Sequence, residues 1–526
     1  MSREIAPVLI AGRWRAATGD ASFQREDPSR RVVLAGRFPI SDWADLHEAL
    51  DAACTAAAVL RAAAPEQLAA FLDTYAAAIA ASSRVLVAAA HAETALAVSP
   101  RLVDVELPRT IDQLRQAASM ARDGTWAMPT IDTRANIRSI LAGIGPVAVF
   151  GPNNFPFAYG CVSGGDFASA IATGNPVIGK AHPAHPHTTR LLAELAYHAV
   201  MSVGLPPATV QLIYHMSPED GLRLVADRRI GATGFTGSRA AGLKLKAAAD
   251  HAGRPIYLEM SSLNPVVILP GSLMASQAKI VDELAGSCLG GGGQFCTKPG
   301  LVFLLAGDTT ERFIAHLVDR FASTTPATLL TGGVASSLAS NVTRLEAAGA
   351  QLVVGGHAID AERYAFANTL LRTSASHFLS DPDGLQIECF GNASLLVIAE
   401  SSEQLLACIA SLDGNLTGSI YSDPDGSDDK LADAIASLLR PRVGRLLNDK
   451  MPTGVTVSPA MNHGGPFPAT GHPGFTAVGF PACARRFTQL QCFDHVRAHR
   501  LPRLLMPHNP DNRVRLLDGQ WTTAPG

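Results

Sequence analysis

The stretch PVAVFGPNNFPFAYG, residues 146–160, begins with five apolar residues and then turns at Gly151-Pro152-Asn153-Asn154. A short apolar run bounded by turn residues reads as a buried strand, and Gly160 to Thr173 read as the helix that follows it. The alternation continues downstream. Pro176 to Gly179, Thr209 to Tyr214, Ile230 to Phe235 and Ile256 to Leu258 are strand candidates, with helices over 188–203, 219–226 and 238–251 between them. Parallel neighbours cannot be joined by hairpins, so this spacing implies a parallel sheet with crossover helices. A doubly wound α/β domain of the nucleotide-binding type is the natural reading.

Working outward, residues 1 to about 135 hold a short strand and turn (Pro7 to Trp14) and then Ala-rich helices. From Pro65, the residues Leu68, Phe71, Leu72, Tyr75 and Ile79 recur at helical spacing, and the proline fits the first turn without losing a hydrogen bond. A second α/β region follows the first, with PVVILP (265–270), GLVFLL (300–305), QLVVGG (351–356) and SLLVIA (394–399) as buried strand candidates. The tail after about 500 is Pro-rich and poorly patterned.

A chain of 526 residues has room for two or three domains at roughly 100 to 200 residues each. Its 43 basic and 46 acidic residues give a net charge of −3, which leaves no basic field for nucleic acid. No apolar stretch reaches the ~18 residues of a membrane span, and MSREIAPVLIAGRW lacks the apolar region of a signal peptide. Eight scattered cysteines without CxxC pairs suit reduced thiols. A soluble, cytoplasmic protein is the expectation.

One cysteine has a chemical setting. In GGGGQFCTKPG (290–300) four glycines precede Cys296, and such a run belongs where backbone bends sharply or approaches a ligand. Cys288, Cys389 and Cys408 lack that setting and read as packing residues. In the opening stretch, Asn153 or Asn154 presents an amide at the carboxyl edge of the sheet, a suitable donor to a developing oxyanion. In GFTGSRAAG (234–242), Gly237 and Gly242 bracket a strand-to-helix turn able to face a pyrophosphate. In YLEMSSLNP (257–265), Glu259 follows a strand, and its apolar company implies a raised pKa and work as a general base.

Each signal is weak by itself, but their order and spacing resemble the aldehyde dehydrogenase superfamily over nearly the whole chain. That family carries P-W-N-F-P, a strand-end Lys, F-T-G-S-x-x-x-G, E-L-G-G, G-Q-x-C and E-x-F-G segments in this order. Here they read Pro152 to Pro156, Lys180, Phe235 to Gly242, Glu259 to Ser262, Gly293 to Cys296 and Glu388 to Gly391. The resemblance implies Cys296 as nucleophile, Asn154 and the Cys296 N–H as oxyanion donors, and Glu259 as general base. It implies a nicotinamide cofactor held by Lys180, His182, Pro183, Gly237, Ser238, Gly242, Glu388 and Phe390. It further implies a Rossmann-like cofactor domain (1–134 and 146–260), an α/β catalytic domain (261–453), and an oligomerisation extension (135–145 and about 484–500) pairing the chain into a homodimer or homotetramer. Residues 454–483 and 501–526 remain as a substrate-side loop and C-terminal tail.

Departures from the family pattern narrow the branch. Asn153 replaces the Trp, Glu259-Met260-Ser261-Ser262 replaces E-L-G-G, and Pro183 stands where many NAD-using members have Glu. KAHPAHPHT (180–188), EMSSLNP and GVTVSPAMNHGGPFPAT (454–470) resemble NADP-dependent and α-ketoglutaric semialdehyde dehydrogenases. NADP is therefore the expected cofactor, with NAD possible, its phosphate meeting Lys180, His182 and Arg239. The role of His463, on the substrate-side loop, stays open. His182, His185 and His187 cluster, but no Cys or carboxylate completes a metal set, so no metal is expected. The alternatives are a coenzyme A-acylating relative, members of which commonly lack the glutamate matched by Glu259, and a non-catalytic relative, against which Cys296, Asn154, Glu259 and Glu388 all speak. Residues 157–174 hold no cation to anchor a substrate carboxylate, so a neutral or aromatic aldehyde stays open.

Overall fold

The structure, a computed structural model, describes residues 5–359 and 362–525. Its first sheet places five parallel strands in the order Ile256–Glu259, Ala232–Thr236, Val147–Phe150, Val177–Lys180 and Val210–Ile213. Val8–Ile10 and Arg13–Arg15 extend it antiparallel beyond the last of these. The chain leaves the centre at Val147–Phe150, winds out through two strands, then crosses back to add two on the other side. This reversal between Val147–Phe150 and Ala232–Thr236 is the position at which doubly wound sheets open a crevice beyond their carboxyl ends. The loops leaving it are those of Asn154 and of Gly237.

The second sheet runs Gln351–Val354, Thr369–Ser374, Ala393–Ala399, Leu301–Leu305, Val266–Ile268, Asn415–Tyr421 and Val443–Asn448. All are parallel except Gln351–Val354, which pairs antiparallel at the edge. Here the sequence reading needs correction: Gln351–Val354 is a largely exposed edge strand, not a buried one. An apolar run of three residues, Leu352 to Val354, looks the same whether one face or both are covered. Conversely, Asn415–Tyr421 is buried throughout and escaped the reading because Asn415, Thr417 and Ser419 break its apolar pattern.

A third sheet orders Thr488–Asp494, Ile137–Gly143, Thr130–Asp132, Arg515–Leu517 and Gln520–Thr522. Thr488–Asp494 pairs antiparallel with Ile137–Gly143 along its whole length. This extension is broader than the sequence suggests, since the supposedly unpatterned tail contributes two strands. Buried Arg515 holds the tail by donating to the carbonyls of Met506, Pro507 and Ala524.

Among the described residues no single helix is long and apolar enough to cross a membrane. One pair bent by 73°, Pro65–Ala81 with Ser83–Thr94, reaches that length and composition, but Pro65–Ala81 buries Leu68, Phe71, Leu72, Tyr75 and Ile79 and packs on helix Leu107–Asp123.

Candidate active site

Cys296 lies on the turn between helix Pro270–Leu289 and strand Leu301–Leu305. The glycine run before it is required by backbone geometry. Gly293 has φ 68°, and a Cβ there would stand 2.2 Å from the carbonyl oxygen of Gly391. The cysteine loop can therefore press against the loop of Glu388 only without side chains. Two residues not singled out in the sequence then hold it. Asn264 Nδ2 donates to the carbonyls of Cys296 and Lys298, each at 2.9 Å. Buried Lys298 donates through Nζ to the carbonyl of Cys389 at 2.9 Å, tying the two loops together. The available signal was the lysine itself, since a cation inside an apolar segment needs acceptors.

Glu259 ends strand Ile256–Glu259, and Asn154 leaves Val147–Phe150, so the first sheet aims both at the cysteine carried by the second. Asn154 Nδ2 donates to the carbonyl of Gln294 at 2.9 Å, two residues before Cys296. The backbone N–H of Cys296 has no acceptor among the described residues. His463 completes the cluster: its Nε2 lies 2.8 Å from Glu259 Oε1 and 3.6 Å from Cys296 Sγ. The sequence placed this histidine on the right loop but offered no means of seeing its contacts.

The electrostatics correct one expectation. Burial pushes the Glu259 carboxyl up, but the His463 charge and hydrogen bond, the adjacent Cys296 thiol and the Arg486 charge outweigh it. The group is held below the usual carboxylate range, not above it. Burial pushes the Cys296 thiol well above its ordinary value, and the adjacent Glu259 charge adds to this. Glu259 Oε2 is buried without a hydrogen-bond partner, which suits an oxygen reserved for a molecule the protein binds.

From this cluster a groove of about 750 Å³ runs past His182, Gly237, Ser238, Arg239, Glu388 and Phe390. Helix Arg239–His251 starts on it, its Ser238 cap accepting from the Ala241 N–H, and a helix start of this kind suits phosphate. Any Cβ on Gly237 would reach within 2.8 Å of the Phe235 ring. Glu388 is coupled to the cysteine side through the Ser262 N–H, 3.4 Å from Oε1. Lys180, Pro183 and Gly242 do not line the groove. Gly242 instead lets its helix approach Met260, whose Sδ would lie 3.0 Å from an added Cβ. Burial brings Lys180 down to about 8. The His182 imidazole is pushed by burial well below its ordinary range, so it brings no positive charge at neutral pH, contrary to the sequence argument. His182 Nδ1 accepts from the Ala184 N–H and its ring stacks on His185, which itself bonds the Pro152 carbonyl at 2.9 Å.

Residues 14–465 match the model of the aldehyde dehydrogenase family. The chain belongs to that family. This aldehyde dehydrogenase is 37% identical over 525 residues to alpha-ketoglutaric semialdehyde dehydrogenase 2 of Azospirillum brasilense, covering 97% of this chain and 98% of the relative. It is 35% identical over 429 residues to the alpha-ketoglutaric semialdehyde dehydrogenase of Acinetobacter baylyi, covering 79% and 80%. Among solved structures, Escherichia coli lactaldehyde dehydrogenase superposes with a TM-score of 0.79 over 93% of this chain and 98% of that one, at 20% identity. PnpE in complex with nicotinamide adenine dinucleotide does so at 0.80 over 94% and 98%, also at 20% identity, and both likenesses speak to the fold. The protein is thus an aldehyde dehydrogenase that oxidises an aldehyde with NAD or NADP. A thiol, a carboxylate, an amide and an unpaired N–H converging on one end of a dinucleotide-sized groove have the donor and acceptor types this oxidation needs.

Proposed function

We infer that the protein oxidises α-ketoglutaric semialdehyde (2,5-dioxopentanoate) to the dicarboxylic acid through a thioester on Cys296. The observation that carries this reading is the convergence of Cys296, Glu259 and Asn154 at one end of the groove. The full-length likeness to two dehydrogenases named for that substrate supports the choice of aldehyde.

In this reading Cys296 first gives up its thiol proton to solvent, the thiolate attacks the aldehyde carbon, and the new oxyanion accepts hydrogen bonds from Asn154 Nδ2 and the Cys296 N–H. Gly237, Ser238 and Glu388, which line the groove, would hold a nicotinamide nucleotide, and that group would supply the hydride acceptor. Loss of hydride leaves an acyl group on Cys296. Glu259, ionised at neutral pH, then takes a proton from water, whose oxygen attacks the acyl carbon and expels the thiolate. The net change is aldehyde, water and oxidised nucleotide to carboxylic acid, reduced nucleotide and a proton.

NADP is the preferred nucleotide in this reading. Arg239 is a cation on the groove itself, and Pro183, next to groove-lining His182, adds no negative charge to repel a 2′-phosphate. The chain acts as a homodimer or homotetramer in the cytoplasm: Thr488–Asp494 is an edge strand with Leu490 exposed, and all eight cysteines are unpaired thiols. Formation of reduced nucleotide from 2,5-dioxopentanoate with NADP and with NAD tests the reading. A kcat/KM for this acid no better than for short neutral aldehydes would refute the substrate, and one better with NAD would refute the cofactor preference.

A further inference from the structure

Beside the cysteine, Phe155 and Tyr159 pack with Phe295, Val457 and Met461 into an apolar cluster. Tyr159 links this cluster to the reacting groups, its ring 5.7 Å from that of His463. Two guanidinium groups adjoin it. Arg109, in the first turn of helix Leu107–Asp123, lies 5.0 Å from the Tyr159 ring, and its Nη2 donates to the Tyr159 hydroxyl at 3.1 Å. Arg445 lies 3.9 Å from Met461 Sδ and spends its donors on the carbonyls of Pro452 and Gly454. Both act electrostatically on Cys296 and on Tyr159.

Neither forms an ion pair among the described residues. Their neighbour Arg101 does, with Nη1 2.6 Å from Glu106. Arg109 bonds only a neutral phenol, and its Nε is buried with no acceptor. The nearest negative charge acting on it, Glu106, is already taken up by Arg101 and by the Phe157 and Ala158 N–H groups. A guanidinium held beside aromatic rings without a bonded counter-ion is costly, and that cost is recovered when an anion arrives. The stretch after Asn154, residues 157–174 with helix Gly165–Ala172, offers no cation, so the positive charge at this end of the site comes from other elements.

We propose that Arg109 binds the carboxylate at the far end of the aldehyde substrate, with Arg445 adding positive field behind Tyr159. The ligand class is an aldehyde carrying a terminal carboxylate, seated with its chain along Phe155 and Tyr159. This rests on the semialdehyde reading above and adds the residue that would enforce it.

The test compares 2,5-dioxopentanoate with pentanal in the unmodified enzyme and in Arg109→Met and Arg109→Lys. The expected result is that Arg109→Met lowers the acid-to-pentanal ratio of kcat/KM roughly ten- to a hundredfold, mostly through KM for the acid, and that Arg109→Lys restores part of it. A preference for the acid that survives Arg109→Met overturns the anchor and leaves the substrate reading standing. In parallel, millimolar glutarate should protect Cys296 of the unmodified enzyme from iodoacetamide, whereas uncharged glutaramide should not. This arm needs no variant to fold and no turnover, so it judges the anchor even if 2,5-dioxopentanoate proves a poor substrate. Equal protection by the two compounds, or none by either, overturns the proposal.

Discussion

The Nε2 of His463 lies 2.8 Å from the Oε1 of Glu259, and the same nitrogen is 3.6 Å from Cys296 Sγ. The proposed base and the proposed nucleophile thus share one imidazole. That contact lowers the pKa of Glu259, since burial alone would raise it. Removing the ring in His463→Ala should therefore raise the pKa of the carboxyl. A base that protonates at higher pH loses function at higher pH, so the acid limb of the kcat profile should move upward. An unmoved acid limb would mean that the histidine does not tune Glu259.

Asn154→Ala should lower kcat/KM by about 10² to 10³, the usual loss for one preorganised oxyanion donor. The rate of Cys296 alkylation by iodoacetamide should change little, because Asn154 bonds the Gln294 carbonyl and not the thiol. A loss of alkylation equal to the loss of turnover would point to a displaced loop and not a missing donor.

Gly293→Ala tests why the glycine run exists. A side chain at φ 68° costs about 1–2 kcal/mol, and the approach to the Gly391 carbonyl adds to that. Denaturant unfolding should show at least this loss, with activity falling further because the Cys296 and Glu388 loops separate. A variant as stable and active as the parent would show that the loops do not need this contact.

Arg239→Ala should raise KM for NADP about tenfold or more with a smaller change for NAD, as expected for one charge-assisted contact to a phosphate. Equal effects on both nucleotides would place the 2′-position elsewhere in the groove.

Much of this was legible in the chain. The strands around 147–259 are short apolar runs between turn residues, and their buried faces leave a direct trace in sequence. Cys296, Asn154 and Glu259 carry motif neighbours that mark them. What stayed hidden depends on distance across the fold. Arg109 has no motif neighbour to mark it, and its lack of a bonded counter-ion appears only once Tyr159 and Cys296 are beside it. Glu259 was assigned a raised pKa from its apolar neighbours in the chain, and the opposing groups, His463 and Arg486, lie more than two hundred residues away. Asn415–Tyr421 is hidden because Asn415, Thr417 and Ser419 interrupt its apolar run, and the partners that let the first two be buried, such as Asn264 Oδ1 at 3.0 Å from Thr417 Oγ1, lie about 150 residues away.

The most direct test of the proposed chemistry is Glu259→Gln mixed with 2,5-dioxopentanoate and NADP. Acylation proceeds once the thiolate forms, and the substitution removes the Glu259 charge that helps to raise the thiol pKa, whereas release of the acid needs the carboxylate as a base. The expected result is a single equivalent of reduced nucleotide per active site and an acyl group found by mass spectrometry on the peptide containing Cys296. Sustained turnover at the parent rate, or an acyl group on any other cysteine, would contradict the account.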